Sequence, residues 1–199
     1  HAVIRMRSLF SQALDYPLPG TPADFGIDRT KFTNTTDEKY LVFLHATTWD
    51  SKMWPENYWV ELAKMAAQHG YRVKISGGNQ SELERSQRIA KLVPTVDALP
   101  RQTIQQMASL LAGSAAAVAV DTGFGHLAGA LNIPVVSLYG STNPEYTGVI
   151  GMQAKNLAAK FPCSPCYNRE CTYKLPSTEK PACYETLPPM LVWQALGLN

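Results

Sequence analysis

Residues 115–126, AAAVAVDTGFGH, are a six-residue apolar run that stops at an acid, a hydroxyl and two glycines. A run this short and uniformly apolar has no wet face, so it reads as a strand buried on both sides. The turn Asp121-Thr122-Gly123 then opens a helix that reaches about Leu131. Strand, tight turn and helix in that order are the repeating unit of a parallel sheet.

The unit recurs in both directions. Downstream, residues 134–139 (PVVSLY) supply the last clear strand. Upstream, Thr103 with Gln106 three residues on forms a capping box, and Ile104, Met107, Ala108 and Leu111 follow along one helical face as far as Gly113. Earlier strands lie at 41–46 (LVFLHA), 71–76 (YRVKIS) and 95–99 (TVDAL). Between them run a helix from Pro55 to Gly70, with Trp59, Leu62, Ala63 and Ala66 on one face, and another over 81–93 that stops before Pro94. Five short apolar strands separated by four helices predict an α/β fold, a Rossmann-like doubly wound parallel sheet covered on both faces.

The two ends read differently. Val3, Met6, Leu9, Phe10, Ala13 and Leu14 repeat at three and four, with Arg5 and Arg7 off the stripe, which predicts an amphipathic helix ending before Pro17. Pro17, Pro19, Gly20, Pro22 and Gly26 followed by a polar run mark a linker to Lys39. Because the chain opens on His1 with a helical pattern, residues 1–39 are expected to continue from a missing upstream half, and 40–199 to form the domain. All four cysteines fall late, at Cys163, Cys166, Cys171 and Cys183, in a C-x2-C-x4-C-x11-C array. That clustering suits a four-thiolate zinc site, but its spacing is irregular, and free thiols or a disulfide fit equally well.

Composition bounds the function. The 199 residues carry 18 basic and 16 acidic side chains, a formal charge of +2, and are 45% hydrophobic, enough for one ordinary core. Wholesale disorder and collagen-like structure are excluded. The near balance of charge gives no broad basic field, which disfavours a nucleic-acid partner. No apolar run approaches the ~18 to 20 residues that span a bilayer.

In open α/β sheets ligands bind beyond the carboxyl ends of the strands, so the loops there hold the candidate site. After the first strand, His45-Ala46-Thr47-Thr48 leads to Lys52 ahead of a helix, a place where hydroxyls, an ammonium and helix N–H groups suit a phosphate. The plainer alternative is turn-satisfying threonines and a solvated lysine. After the second, Gly77-Gly78 permits a sharp turn and Glu82 enters the next helix, where it could accept from a ribose diol or simply offset the helix dipole. After the fourth, Asp121, Thr122 and Gly123 meet a helix start with His126 one turn on, which would take a diphosphate; otherwise Asp121 is a cap and His126 an interior histidine.

Two other motif readings compete. Asp-Thr-Gly also marks aspartic proteases, but those are all-β, and these flanks are α/β. Gly123-x-Gly125-x-x-Ala128 fits the dinucleotide fingerprint of an NAD(P)-dependent oxidoreductase, yet it sits in the fourth β-α unit and the next strand ends in Leu138-Tyr139-Gly140 rather than an acid. A third alternative is a small zinc-stabilised interaction module around the cysteines.

With these residues in place, the chain resembles the C-terminal half of the lipopolysaccharide heptosyltransferases, glycosyltransferase family 9, inverting enzymes of the two-domain GT-B type. The likeness is carried by residues 45–48 (HATT) through 52–55 (KMWP), by 121–123 (DTG) with His126, and by 138–144 (LYGSTNP), and it runs from about Tyr40 to Tyr146. The paired threonines are similar to the heptosyltransferase I branch, whose acceptor is Kdo of Kdo2-lipid A. The cysteine array is more like heptosyltransferase II-type sequences.

The resemblance implies a donor half that holds ADP-L-glycero-D-manno-heptose and needs no cofactor. Carried over by motif, Thr47, Thr48, Thr122 and Gly123 would sit at the diphosphate. Lys52 and Asp121 would contact phosphate and heptose, Glu82 would face the adenosine ribose, and His126 would line the pocket. The family's catalytic base, an aspartate of the N-terminal half, has no counterpart in this sequence. A cytoplasmic enzyme peripheral to the inner membrane is implied, with Arg5 and Arg7 either near the anionic Kdo-lipid A acceptor or solvated.

Overall fold

The computed structural model describes residues 1–32 and 38–198. The polar run at 33–37 in the expected linker, and the terminal residue of the expected 40–199 domain, lie outside the described residues. Six strands form one sheet: β1 (Tyr40–Leu44), β2 (Arg72–Ile75), β3 (Val96–Ala98), β4 (Ala116–Val120), β5 (Val135–Tyr139) and β6 (Ala154–Ala158). Their order is β3-β2-β1-β4-β5-β6 and every pairing is parallel. All residues of β1, β4 and β5 are buried, the outcome that their unbroken apolarity predicts.

Alternation along the strands builds two cores. Leu41 and Phe43 of β1 and Val118 and Val120 of β4 face one side, with Trp59 and Leu62 of α2 (Glu56–Gln68), Ile89 of α3 (Gln80–Leu92) and a C-terminal helix that carries Val192. Tyr40, Val42, Ala117 and Ala119 face the other, against Met107 and Leu111 of α4 (Ile104–Ala112) and Ala128 of α5 (Gly123–Ala130). Trp59 packs its ring 4.9 Å from Phe43 and 5.0 Å from Trp54, centroid to centroid. Each such fully buried large side chain contributes roughly 1.5–3 kcal/mol.

Capping follows the sequence closely. Thr103 and Gln106 exchange the two hydrogen bonds of a capping box at the start of α4, and Gly70 ends the turn after α2 with a φ of +77°.

Two features depart from expectation. The sixth strand, AKNLA, escapes an apolar-run criterion because it is an edge whose Lys155 and Asn156 are exposed. The opening helix α1 (Ala2–Ala13) forms, but it buries no residue, and Met6, Leu9, Phe10 and Leu14 of its apolar stripe lie open. No helix among the described residues is long and apolar enough to cross a membrane.

His45, immediately beyond β1, is fully buried with Nε2 3.0 Å from Ser86 Oγ of α3. Ser86 Oγ also donates to the Glu82 carbonyl at 3.1 Å. Burial first, and the Arg85 charge second, lower the His45 pKa from 6.5 to about 4.

Two predictions follow from this packing. A Cβ on Gly129 of α5 would stand 2.4 Å from the Ile150 carbonyl oxygen and 2.6 Å from Val149 Cγ1. Gly129→Ala therefore costs roughly 1–3 kcal/mol in urea unfolding, whereas Gly20→Ala, with open space around it, stays within about 0.5 kcal/mol. The second concerns pH. Between about 4 and 6.5 the unfolded chain binds a proton at His45 that the folded chain refuses, so stability falls as pH falls through that window. His45→Gln should lose about 3 kcal/mol less than wild type across it, and equal losses in both proteins would refute the assignment.

Candidate functional site

A cleft of about 780 Å³ opens at the carboxyl edge of the sheet, lined from the loops after β1, β2, β3 and β4. It lies where strand order reverses: β1 and β4 are neighbours, but the chain leaves them toward opposite faces of the sheet. Thr47, Thr48, Lys52, Glu82, Asp121, Thr122, Gly123 and His126 all line this one cleft.

At its centre Lys52 Nζ stands 2.8 Å from Asp121 Oδ2, both side chains largely withdrawn from solvent. Lys52 sits on a short 3-10 turn (Asp50–Lys52) and lies 4.5 Å above the Trp49 ring. Asp121 Oδ2 also accepts from Thr142 Oγ1 at 2.8 Å, and Thr47 Oγ1 donates to the Asp121 carbonyl at 3.1 Å. The β1 and β4 loops are thereby tied side chain to side chain. Lys52 is accordingly not solvated, and Asp121 is not the helix cap. The N-cap of α5 is Thr122, whose side chain makes no capping bond, so no hydroxyl competes for the first N–H groups of this helix.

His126 is exposed at the cleft rather than interior. Glu82 has a local occupation: its carboxylate accepts from the Gly78 N–H at 2.6 Å and from Asn79 Nδ2 at 2.9 Å. The turn is tight enough that a Cβ on Gly77 would meet Glu82 Cβ at 2.5 Å. Gly125 of the dinucleotide-like triplet packs toward Ala119 of β4, where an added Cβ would lie 3.1 Å away.

Sequence reasoning passed over several lining residues. Arg101, Gln102, Ile104 and Met107 close the far side of the cleft after β3. The strand-end rule applied to that loop as much as to the others, but the capping box absorbed its signal. Thr142 lay within a quoted motif without an assigned role, and only the fold brings it to Asp121.

The four cysteines are free thiols around a separate cavity of about 300 Å³, which Ser51 and Ser141 also line. Burial, and then the three other thiols, push Cys183 up to about 12. Among the described residues no three His, Cys, Asp or Glu side chains are grouped to hold a metal ion.

The family model for glycosyltransferase family 9 (heptosyltransferase) matches residues 1–176. The chain is 45% identical over 202 residues to the lipopolysaccharide heptosyltransferase 1 of Pseudomonas aeruginosa, covering 96% of this chain and 57% of that protein. Identity to the Escherichia coli K12 protein of the same name is 43% over 158 residues, 78% of this chain and 49% of that one. Among solved structures, E. coli heptosyltransferase WaaC with ADP superposes at a TM-score of 0.74 and 40% identity, covering 80% of this chain and 50% of that chain. WaaC with ADP-2-deoxy-2-fluoro heptose gives 0.75 and 33%, with coverages of 99% and 55%. The chain spans about half the length of the curated relatives it matches. With a Rossmann-like sheet, a cleft at its switch point and a family model matched over most of its length, this chain belongs to glycosyltransferase family 9, the heptosyltransferases.

Proposed function

We propose that this chain is the donor-binding half of an inverting glycosyltransferase that moves L-glycero-D-manno-heptose from ADP-heptose to Kdo of the lipopolysaccharide inner core. The observation that carries the reading is the Lys52–Asp121 pair, set between the threonine-bearing loop after β1 and the uncapped start of α5. The similarity to heptosyltransferase 1 proteins supports the donor and the acceptor class, and the WaaC complexes contain ADP and an ADP-heptose analogue.

In this reading the diphosphate lies against Thr47, Thr48, Thr122 and the α5 N-terminus, with Gly123 letting it approach the backbone. Lys52 stands at the phosphate, while Asp121 keeps the ammonium aimed and meets the heptose. Glu82 faces the adenosine ribose and His126 lines the same pocket. The acceptor hydroxyl oxygen attacks the anomeric carbon, the bond from that carbon to the phosphate oxygen breaks, and ADP leaves with the electron pair. Negative charge grows on the phosphate as the bond lengthens, so fixed donors at that oxygen lower the barrier most in the transition state. The hydroxyl proton goes to a base in the preceding half of the enzyme. No cofactor is needed for this step.

Residues 1–39 are read as the connection to that half, whose surface would cover the open apolar stripe of α1. Arg7 is already engaged, donating to the carbonyls of Thr21 and Pro22, which leaves Arg5 as the freer choice for an anionic acceptor. The assembled enzyme would work in the cytoplasm, peripheral to the inner membrane.

Calorimetry tests the donor directly. The chain should bind ADP and ADP-heptose in preference to UDP-sugars and NAD, and transfer no sugar by itself; binding of NAD without ADP would return the oxidoreductase reading. In the complete enzyme, Lys52→Ala should lower turnover at least tenfold, about 1.4 kcal/mol of barrier. Near-wild-type turnover at saturating donor and acceptor would remove Lys52 from the mechanism.

A further inference from the structure

Lys52 is held from behind by residues that do not line the cleft. Tyr184, in a 3-10 turn (Ala182–Thr186), is completely buried and donates its hydroxyl to the Lys52 carbonyl at 2.6 Å across 132 positions of sequence. Its ring passes over Gly140, where an added Cβ would stand 2.8 Å from Tyr184 Cζ and 3.0 Å from its hydroxyl oxygen, so a side chain there would block the approach. Ser51, also buried, adds three ties: its N–H donates to the Arg169 carbonyl at 3.0 Å, and its hydroxyl contacts the Asn168 carbonyl and Ser141 Oγ.

Ser141 precedes Thr142, the residue that holds Asp121. Asp121 is therefore anchored through the loop after β5, and Lys52 through that loop and the irregular C-terminal segment. A lysine side chain is flexible and gains transition-state leverage only when its backbone is fixed, because a misplacement of about 1 Å can cost two orders of magnitude in rate.

We propose that Tyr184 is a positioning residue for the transfer reaction, acting through the Lys52 carbonyl to fix the ammonium at the departing phosphate. The inference rests on the role given to Lys52 above. Tyr184 is not itself a proton carrier: burial raises its phenol well above the ordinary value, so it remains a neutral donor throughout the working pH range.

A double-mutant cycle in the complete enzyme tests it. Tyr184→Phe keeps the ring and removes only the hydroxyl. It should lower kcat about fivefold, the effect of one lost hydrogen bond, with little change in KM for ADP-heptose. In a Lys52→Ala background the same substitution should have no further effect on kcat. Thr186→Val serves as comparator: it removes the bond from the Lys160 N–H to Thr186 Oγ1 and the bond from Thr186 Oγ1 to the Cys183 carbonyl at 2.9 Å, loosening the same turn while leaving the Tyr184 hydroxyl and its bond to Lys52 in place, and should leave kcat unchanged.

A full-sized loss from Tyr184→Phe in the Lys52→Ala background would overturn the proposal. So would unchanged kcat in Tyr184→Phe, or an equal loss in Thr186→Val. Should Tyr184→Phe fail to fold, Ser51→Ala takes its place with the same required coupling to Lys52. A Lys52→Ala enzyme of normal activity would remove the role of Lys52 and this inference together. A damaged Lys52→Ala enzyme without coupling removes the inference alone.

Discussion

The constraint on which the site depends is the parallel pairing of β1 with β4, in which Leu41, Val42, Phe43 and Leu44 face Ala116, Ala117, Val118 and Ala119. These are the two central strands of the sheet, and they are 74 residues apart at the point where Thr47 meets Asp121. Because side chains alternate along a strand, slipping this register by one residue would turn one of the two strands inside out with respect to the two cores. The register that satisfies burial is thus the one that sets Lys52 opposite Asp121. The divergence of the chain toward opposite faces then leaves the space between the loops open.

The Lys52–Asp121 pair itself is a poor candidate for a stabilising device. Withdrawing two charges from water costs much of what their attraction returns, and apolar packing of the same volume would serve stability as well. Its environment points to function instead: a threonine fixes the carboxylate, an indole lies beneath the ammonium, and the carbonyl of the lysine is bound from below. That arrangement limits the reorganisation needed when an anion arrives.

Local regularities in the sequence make much of this legible. Uniform apolarity located β1, β4 and β5, the capping box located α4, and strand-end placement gathered eight residues that line one cleft. What escaped was decided by long-range contact. β6 is polar because only one of its sides meets protein, so its sequence resembles a loop. Tyr184 and Ser51 carry no local signature at all, since their partners lie 132 and 90 positions away. Glu82 lines the cleft, but its bonds to Gly78 and Asn79 depend on the path of a turn that two glycines alone do not specify.

The two rims of the sheet are closed to newcomers by different means. On one side β3 is only three residues long, and its Asp97 is bound to Arg72 of the adjacent strand. On the other, Lys155 of β6 reaches the Ala195 carbonyl at 2.7 Å, while Asn156 exchanges hydrogen bonds with both backbone groups of Val149. A foreign strand would encounter a charged lysine and side chains already committed to their own fold, a poor template for cross-β growth. The protein can thus keep six parallel strands in register without offering either border as a seed for fibrils.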